Sequence, residues 1–199
     1  HMGFRDLRVL NEDRIVPGAG LPEHSHRDME IVTIVLKGAV EHRDDLGNAT
    51  LIQAGEVQRM SAGTGIRHSE RNPSPDERTH LLQIWIIPAE TGGAPSYEQK
   101  SFASNKARNR WITIASSDGR DGSLTLRQDA SMEKAQLDEG AALKRELDAA
   151  RGYWVQVVSG IIGLNGTEMR EGDGAAVTSE DMLAIEAETE AEVLLIDLA

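Results

Sequence analysis

The sequence predicts an all-β protein organised as two β-barrels, on three grounds. Apolar residues fall in short runs and not in long helical stripes. The runs are rich in β-branched and aromatic residues and end in Gly, Asn or Asp. One order of strands and turns also occurs twice along the chain.

Taken in order, the strand candidates are residues 7–10, 30–36, 81–87, 112–115, 153–158 and 193–197. Asp44-Asp45-Leu46-Gly47-Asn48 and Asn165-Gly166 are turn chemistry, because Gly and Asn accept positive φ at little cost. The repeat pairs Glu30–Gly38, the turn at Gly47 and Ala54-Gly55-Glu56-Val57 with Tyr153–Gly160, the turn at Gly166 and Glu171-Gly172-Asp173-Gly174. A polar stretch over residues 88–110, with Gly92-Gly93 and Pro95, reads as the linker between the copies. The expected domains are therefore residues 1–105 and 106–199. Residues 132–152 favour helix on propensity alone, yet Gly140 interrupts them and strand runs flank them, so they are assigned to strands.

With 199 residues, the chain can build one substantial core or two small ones. It has no cysteine, which excludes disulfides, thiolate zinc sites, iron–sulfur clusters and cysteine nucleophiles. The formal charge of −12 argues against direct binding of nucleic acid through its phosphates. No apolar run approaches the roughly 18–20 residues of a membrane span, and no basic segment leads into an apolar signal core. A cytoplasmic location is expected. His1-Met2 reads either as native sequence or as the remnant of a cloning site.

All six histidines lie between positions 1 and 80, so a histidine metal site belongs to the first half. His24-Ser-His26 puts two imidazoles at i and i+2, on one face of a strand. His68-Ser-Glu70 repeats the spacing with an imidazole and a carboxylate. If both strands line one interior, His24, His26, His68 and Glu70 converge on a divalent first-row metal. Glu30 is a rival ligand, or a base beside the metal, since it follows His26 by four residues and shares its strand parity. His42 and His80 have no partner at ligand spacing and are expected in surface or structural roles. Met60, Ile34 and Trp85 are candidate walls of a pocket.

Gly18-x5-His24-x-His26-x3-Glu30 followed by Gly38 resembles the first cupin motif. Gly65-x2-His68-x3-Asn72, preceded by Gly55, resembles the second. His24-Ser-His26-Arg-Asp-Met-Glu30, together with Ser61-Ala-Gly-Thr-Gly-Ile-Arg-His68-Ser-Glu70 and Gln83-Ile-Trp85, is similar to the pirin family over nearly the whole chain. That resemblance implies a bicupin of two stacked, jelly-roll-like cupin β-barrels, with metal in the first only. It also implies Glu70 rather than Glu30 as the carboxylate ligand, and iron as the metal; Mn, Co, Ni, Cu or Zn suit the same donors. Members of the family usually carry a further N-terminal segment, so the first barrel is expected to be completed differently or to belong to a trimmed chain.

Bacterial members of the family are similar to quercetin 2,3-dioxygenases. The leading expectation is thus oxidative ring opening of a small aromatic flavonol such as quercetin with O₂, with Glu70 or Glu30 accepting the hydroxyl proton. The alternative is a non-enzymatic metal or redox sensor, or a transcriptional cofactor acting through a protein partner. A third possibility, a small cupin isomerase or sugar-binding module, is disfavoured by His24 and His26.

Overall fold

The computed structural model describes residues 2–102 and 107–199. The expected domain boundary at 105/106 lies outside the described residues. Apart from one 3₁₀ turn at Arg120–Gly122, all regular elements among them are strands. The first ten are β1 (Met2–Phe4), β2 (Leu7–Ile15), β3 (Gly20–His26), β4 (Glu30–Lys37), β5 (Ala39–Asp44), β6 (Ala49–Gln53), β7 (Glu56–Ser61), β8 (Ile66–Arg71), β9 (Thr79–Ile86) and β10 (Ser96–Ser101). After β11 (Ile112–Ser116) and β12 (Leu124–Thr125) come β13 (Ala130–Leu137), β14 (Ala142–Glu146), β15 (Gly152–Ser159) and β16 (Ile161–Leu164). The last are β17 (Thr167–Arg170), β18 (Gly174–Val177), β19 (Met182–Ala187) and β20 (Ala191–Leu198).

The chain divides into two compact units. One comprises His1–Ser104, Ser117–Gly119 and Leu124–Gln128; the other comprises Asn105–Ser116, Arg120–Ser123 and Asp129–Ala199. In the first, a six-stranded antiparallel sheet in the order β1-β2-β9-β4-β7-β10 accompanies a four-stranded sheet, β3-β8-β5-β6. Ile15, Val35 and Leu81 of the larger sheet pack with Val40 and Ile52 of the smaller, so the two sheets bury one face each against the other. In the second unit β11, β13, β20, β15 and β18 lie side by side, and β14-β19-β16-β17 form the smaller sheet. Val155, Val193 and Leu195 pack there with Ile162, Met169, Leu183 and Ile185.

All-β architecture with two units agrees with the sequence reading, but the expected closed barrels do not form. Each sheet begins and ends on an edge strand, such as β1 and β10, or β3 and β6, and among the described residues no hydrogen-bonded ladder runs from one sheet into its partner. The physical reason lies in what alternation specifies. A period-two pattern fixes which face is buried, and packing two open sheets face to face satisfies it as fully as closing one sheet does.

Two local assignments also differ or hold. Part of the expected linker is strand β10, paired with β7 from Ser96↔Ser61 to Ser101↔Glu56. Its sequence, Ser-Tyr-Glu-Gln-Lys-Ser, has no apolar alternation to reveal it. Residues 132–152 do form strands, with Ala130–Leu137 and Ala142–Glu146 on either side of Gly140. No helix among the described residues is long and apolar enough to cross a membrane.

Candidate metal centre

Strands β3 and β8 run antiparallel with His24 opposite His68, so their side chains share a face. The register shifts between Leu21 and His24, where Pro22-Glu23 bulges, and this brings the His24–His26 pair level with His68. Gly20 is required by the same approach: a Cβ there would run into the Glu70 carbonyl oxygen and the Arg71 backbone. On β8, Ile66, His68 and Glu70 are buried while Arg67 and Arg71 are exposed.

Ring centroids lie 4.7 Å apart for His24–His26, 4.4 Å for His24–His68 and 5.0 Å for His26–His68. The candidate ligand atoms of these three lie within 4.8 Å of one another. Trp85 stands edge-on to His26 at 4.9 Å. His24 Nδ1 lies 2.8 Å from the Pro22 carbonyl oxygen, which can only accept, so Nδ1 carries the proton and Nε2 keeps a lone pair. Both nitrogens of His68 are buried without a hydrogen-bond partner among the described residues. Burial, reinforced by His24, His26 and His42, pushes the His68 imidazole down to about 3. Burial and His24 push His26 down to about 4. The His26 and His68 rings are therefore neutral near pH 7 and present lone pairs. Three imidazoles, one with both nitrogens orphaned in the interior, suit a divalent cation.

Glu70 is only 1% exposed. Its Oε1 accepts from Gln58 Nε2 at 2.6 Å and its Oε2 from Gln83 Nε2 at 2.8 Å. Gln58 also donates to Thr33 Oγ1, and Gln83 Oε1 accepts from Trp85 Nε1. Burial pushes the Glu70 carboxyl above the usual range, against the pull of His42 and the two amides. Glu70 groups with His68 and with His42, the three offering ligand atoms within 4.8 Å of one another.

Glu30 stands apart from both groups. The chain turns at Asp28, with φ of 48°, and β4 belongs to the larger sheet, so the parity counted from His26 does not carry across. Its Oε2 accepts from Ser61 Oγ at 2.8 Å and from the Arg127 backbone N–H at 3.2 Å. His80, as expected of a structural residue, pairs with Glu12 at 2.7 Å. His42, expected at the surface or in a structural role, is fully buried at the edge of the candidate site. Gln58 and Gln83 escaped sequence reasoning, although each is an amide at an inward strand position.

A cavity of about 290 Å³ opens beside the centre, lined by Asp13, Ile15, Leu21, Glu70, Leu81 and Gln83 among others. The expected wall residues lie elsewhere: Ile34 is in the core, and Met60 packs with Ile31, Ala62, Ile66 and Trp85.

Two open-sheet β-sandwich units, one holding a three-histidine centre with a buried carboxylate behind it, define a two-domain metal-site protein of cupin type. Residues 1–86 match the pirin family model, and residues 113–198 match that of the quercetinase C-terminal cupin domain. Quercetin 2,3-dioxygenase of Escherichia coli K12 is 47% identical over 99% of this chain and 84% of its own length. A pirin-like protein of Caulobacter vibrioides is 41% identical over 100% of this chain and 86% of its own. The crystal structure of the bacterial pirin YhhW from E. coli in complex with nickel(II) superposes with a TM-score of 0.94 at 47% identity, covering 99% of this chain and 84% of that one. The chain belongs to the pirin family.

Proposed function

We propose that the protein is a metal-dependent dioxygenase that opens the central ring of a flavonol such as quercetin, with His24, His26, His68 and Glu70 holding iron. Manganese, cobalt, nickel, copper and zinc suit the same donors. The observation that carries this reading is the cavity of about 290 Å³ whose wall includes Glu70 and Gln83, with Glu70 in turn grouped with His68 of the three-histidine centre. Its volume is at the lower end of small-ligand sites, which run from about 300 Å³. The name of the 47%-identical E. coli relative supports the choice of substrate.

When bound, the cation would supply a Lewis-acid and redox-active point at which an acidic flavonol hydroxyl and dioxygen can meet. The chain supplies the rest. Ile15, Leu21 and Leu81 offer apolar contact to a flat aromatic ligand, and Val16 and Leu21 are the apolar residues exposed along the same wall. Gln58 and Gln83 fix the Glu70 carboxylate through one oxygen each, which leaves a lone pair on both for a further partner. Glu70 Oε1 or Oε2, in a carboxyl that burial raises, is the atom we assign to take up the hydroxyl proton. Glu30, bonded to Ser61 and Arg127, is given no part in the reaction.

The test is oxygen uptake coupled to loss of quercetin by the metal-loaded protein. Turnover that disappears in His24→Ala is expected; a fully metallated protein that consumes neither quercetin nor O₂ would overturn the reading.

A further inference from the structure

The pair Asp44–His42 has the chemistry of a prepared metal ligand, yet it lies outside the set assigned above. Strands β5 and β8 set His42 directly opposite Glu70, and Asp44 directly opposite His68. His42 is fully buried, and its Nε2 lies 3.1 Å from Asp44 Oδ2. Asp44 is itself fixed: Oδ1 accepts from the backbone N–H groups of Leu46 and Asn48, and Oδ2 from Asn48 Nδ2. Both oxygens of Asp44 thus already accept from N–H donors, and it acts as an acceptor toward His42 as well.

Nε2 of His42 donates to Asp44, and Nδ1 is the nitrogen left for another partner. That Nδ1 is buried with no hydrogen-bond partner among the described residues. A buried ring nitrogen without a partner is costly, and a cation is one partner that would satisfy it. An imidazole that donates one N–H to a carboxylate and turns its other nitrogen inward is the arrangement by which proteins orient metal-binding histidines. His24, whose Nδ1 is tied to the Pro22 carbonyl, is prepared in the same way.

We propose that the centre has a second, inner position for a divalent first-row cation, built from His42, His68 and Glu70, with His68 and Glu70 common to both positions. Candidate ligand atoms of the inner three lie within 4.8 Å of one another, all three residues are buried, and the His42 and His68 rings are 5.3 Å apart. Two imidazoles and one carboxylate are the donor set of non-haem iron(II) sites. Because His68 keeps both nitrogens unbonded, it can serve either side. The inference rests on the metal-centre reading above and adds a position to it.

The test uses Co(II) alone, titrated into the metal-free full chain and followed by ligand-field absorption and by metal analysis after gel filtration. His24→Ala, which breaks the outer set, is expected to retain one Co(II) per chain at reduced affinity. Adding His42→Ala should weaken that binding at least tenfold further. His42→Leu serves as a second variant, since Asp44 keeps its bonds from Leu46 and Asn48; melting curves check that each variant folds. Equal binding by His24→Ala and the double variants overturns the inner position, as does loss of all Co(II) binding in His24→Ala while the wild type binds. A wild-type protein that binds no Co(II) overturns the metal-centre reading itself, and this inference with it.

Discussion

Gly38 and Gly160 turn the chain at φ of 76° and 82° between corresponding strands, β4 to β5 in one unit and β15 to β16 in the other. From that common point the strand registers set the two interiors side by side. Thr33 corresponds to Val155, Gln58 to Ala175 and Gln83 to Leu195. His42 corresponds to Leu164, Glu70 to Ile185 and His68 to Leu183, while His24 corresponds to Arg145. One unit thus keeps a connected polar set where its twin keeps aliphatic residues. Arg145 faces outward enough to pair with Glu133 and Asp197. Buried polar groups cost stability unless every one finds a partner, and an apolar interior of the same shape is the cheaper solution. The fold therefore does not require the polar set; the chemistry at the centre does.

The comparison breaks most completely at His68, the one imidazole common to both groups of ligand atoms. His68→Ala is expected to lower Co(II) or Fe(II) affinity at least about 100-fold, the upper end of what loss of a supporting contact alone costs. Turnover should vanish with it. Stripping the metal with a chelator should reproduce the kinetic defect without the substitution, and binding and O₂ uptake measured together check both.

Next in size is Glu70→Ile, which installs the residue of the second unit. Alone it leaves the buried amides of Gln58 and Gln83 without their acceptor, so it should destabilise by roughly 2–6 kcal/mol, at about 1–3 kcal/mol per orphaned group. Combining it with Gln58→Ala, Gln83→Leu and Thr33→Val removes those orphans as well, leaving only the part-buried Trp85 Nε1–H without its acceptor. Urea titration should then show most of the loss recovered, in a protein that binds metal more weakly. If the combined variant is no more stable than Glu70→Ile, the two interiors are not interchangeable as argued.

How far this contrast was legible beforehand depended on chain spacing. His24, His26 and His68 could be found because i, i+2 pairs share a strand face, and they do meet. Confinement of histidine to the first 80 residues likewise pointed to one unit and not the other. What spacing could not reach were relations between strands. Glu30 looked equivalent to His26 until the turn at Asp28 moved it to the other sheet. His42 looked solitary because its partners, Glu70 and His68, are set by the β5–β8 register and not by sequence distance. Gln58 and Gln83 are ordinary amides in strand runs; only their inward parity marks them. Barrel closure failed as an expectation because alternation reports burial of a face and says nothing about where a ladder ends.

A smaller effect separates the units by pH. His68 and His26 have their imidazoles pushed down to about 3 and about 4, so in the metal-free protein the folded state holds fewer protons on them than the unfolded state does below pH 6.5. Their contribution is present above about pH 6.5 and is lost as pH falls toward 4 and 3. Glu70 and Glu30, raised by burial, act with the opposite sign. The readout is therefore the difference between wild type and His68→Leu in the presence of chelator, followed by thermal melting from pH 7.5 to 4.5. Wild type should lose stability relative to the variant as pH falls, and a difference that stays flat would mean that His68 is not held neutral by its surroundings.

The smallest effect is expected at His80, and it sharpens the comparison by marking where the polar interior ends. Its Nε2 meets Glu12 at 2.7 Å, but both side chains are about one-fifth exposed and Glu12 is shared with Arg14. A partly solvated pair of this kind contributes about 0–1 kcal/mol, because solvent screens it and fixing two side chains costs entropy. His80→Ala should therefore move the urea midpoint only slightly and leave Co(II) affinity unchanged within about twofold. Asp13, Arg14 and Ile15 of β2 line the cavity and Glu12 does not, and Arg14 keeps Glu12 as its partner, so loss of the His80 pair should not alter the wall. A change in metal affinity as large as that of His68→Ala would show that the centre extends through β2 and β9, and that the polar interior is wider than the seven positions compared above.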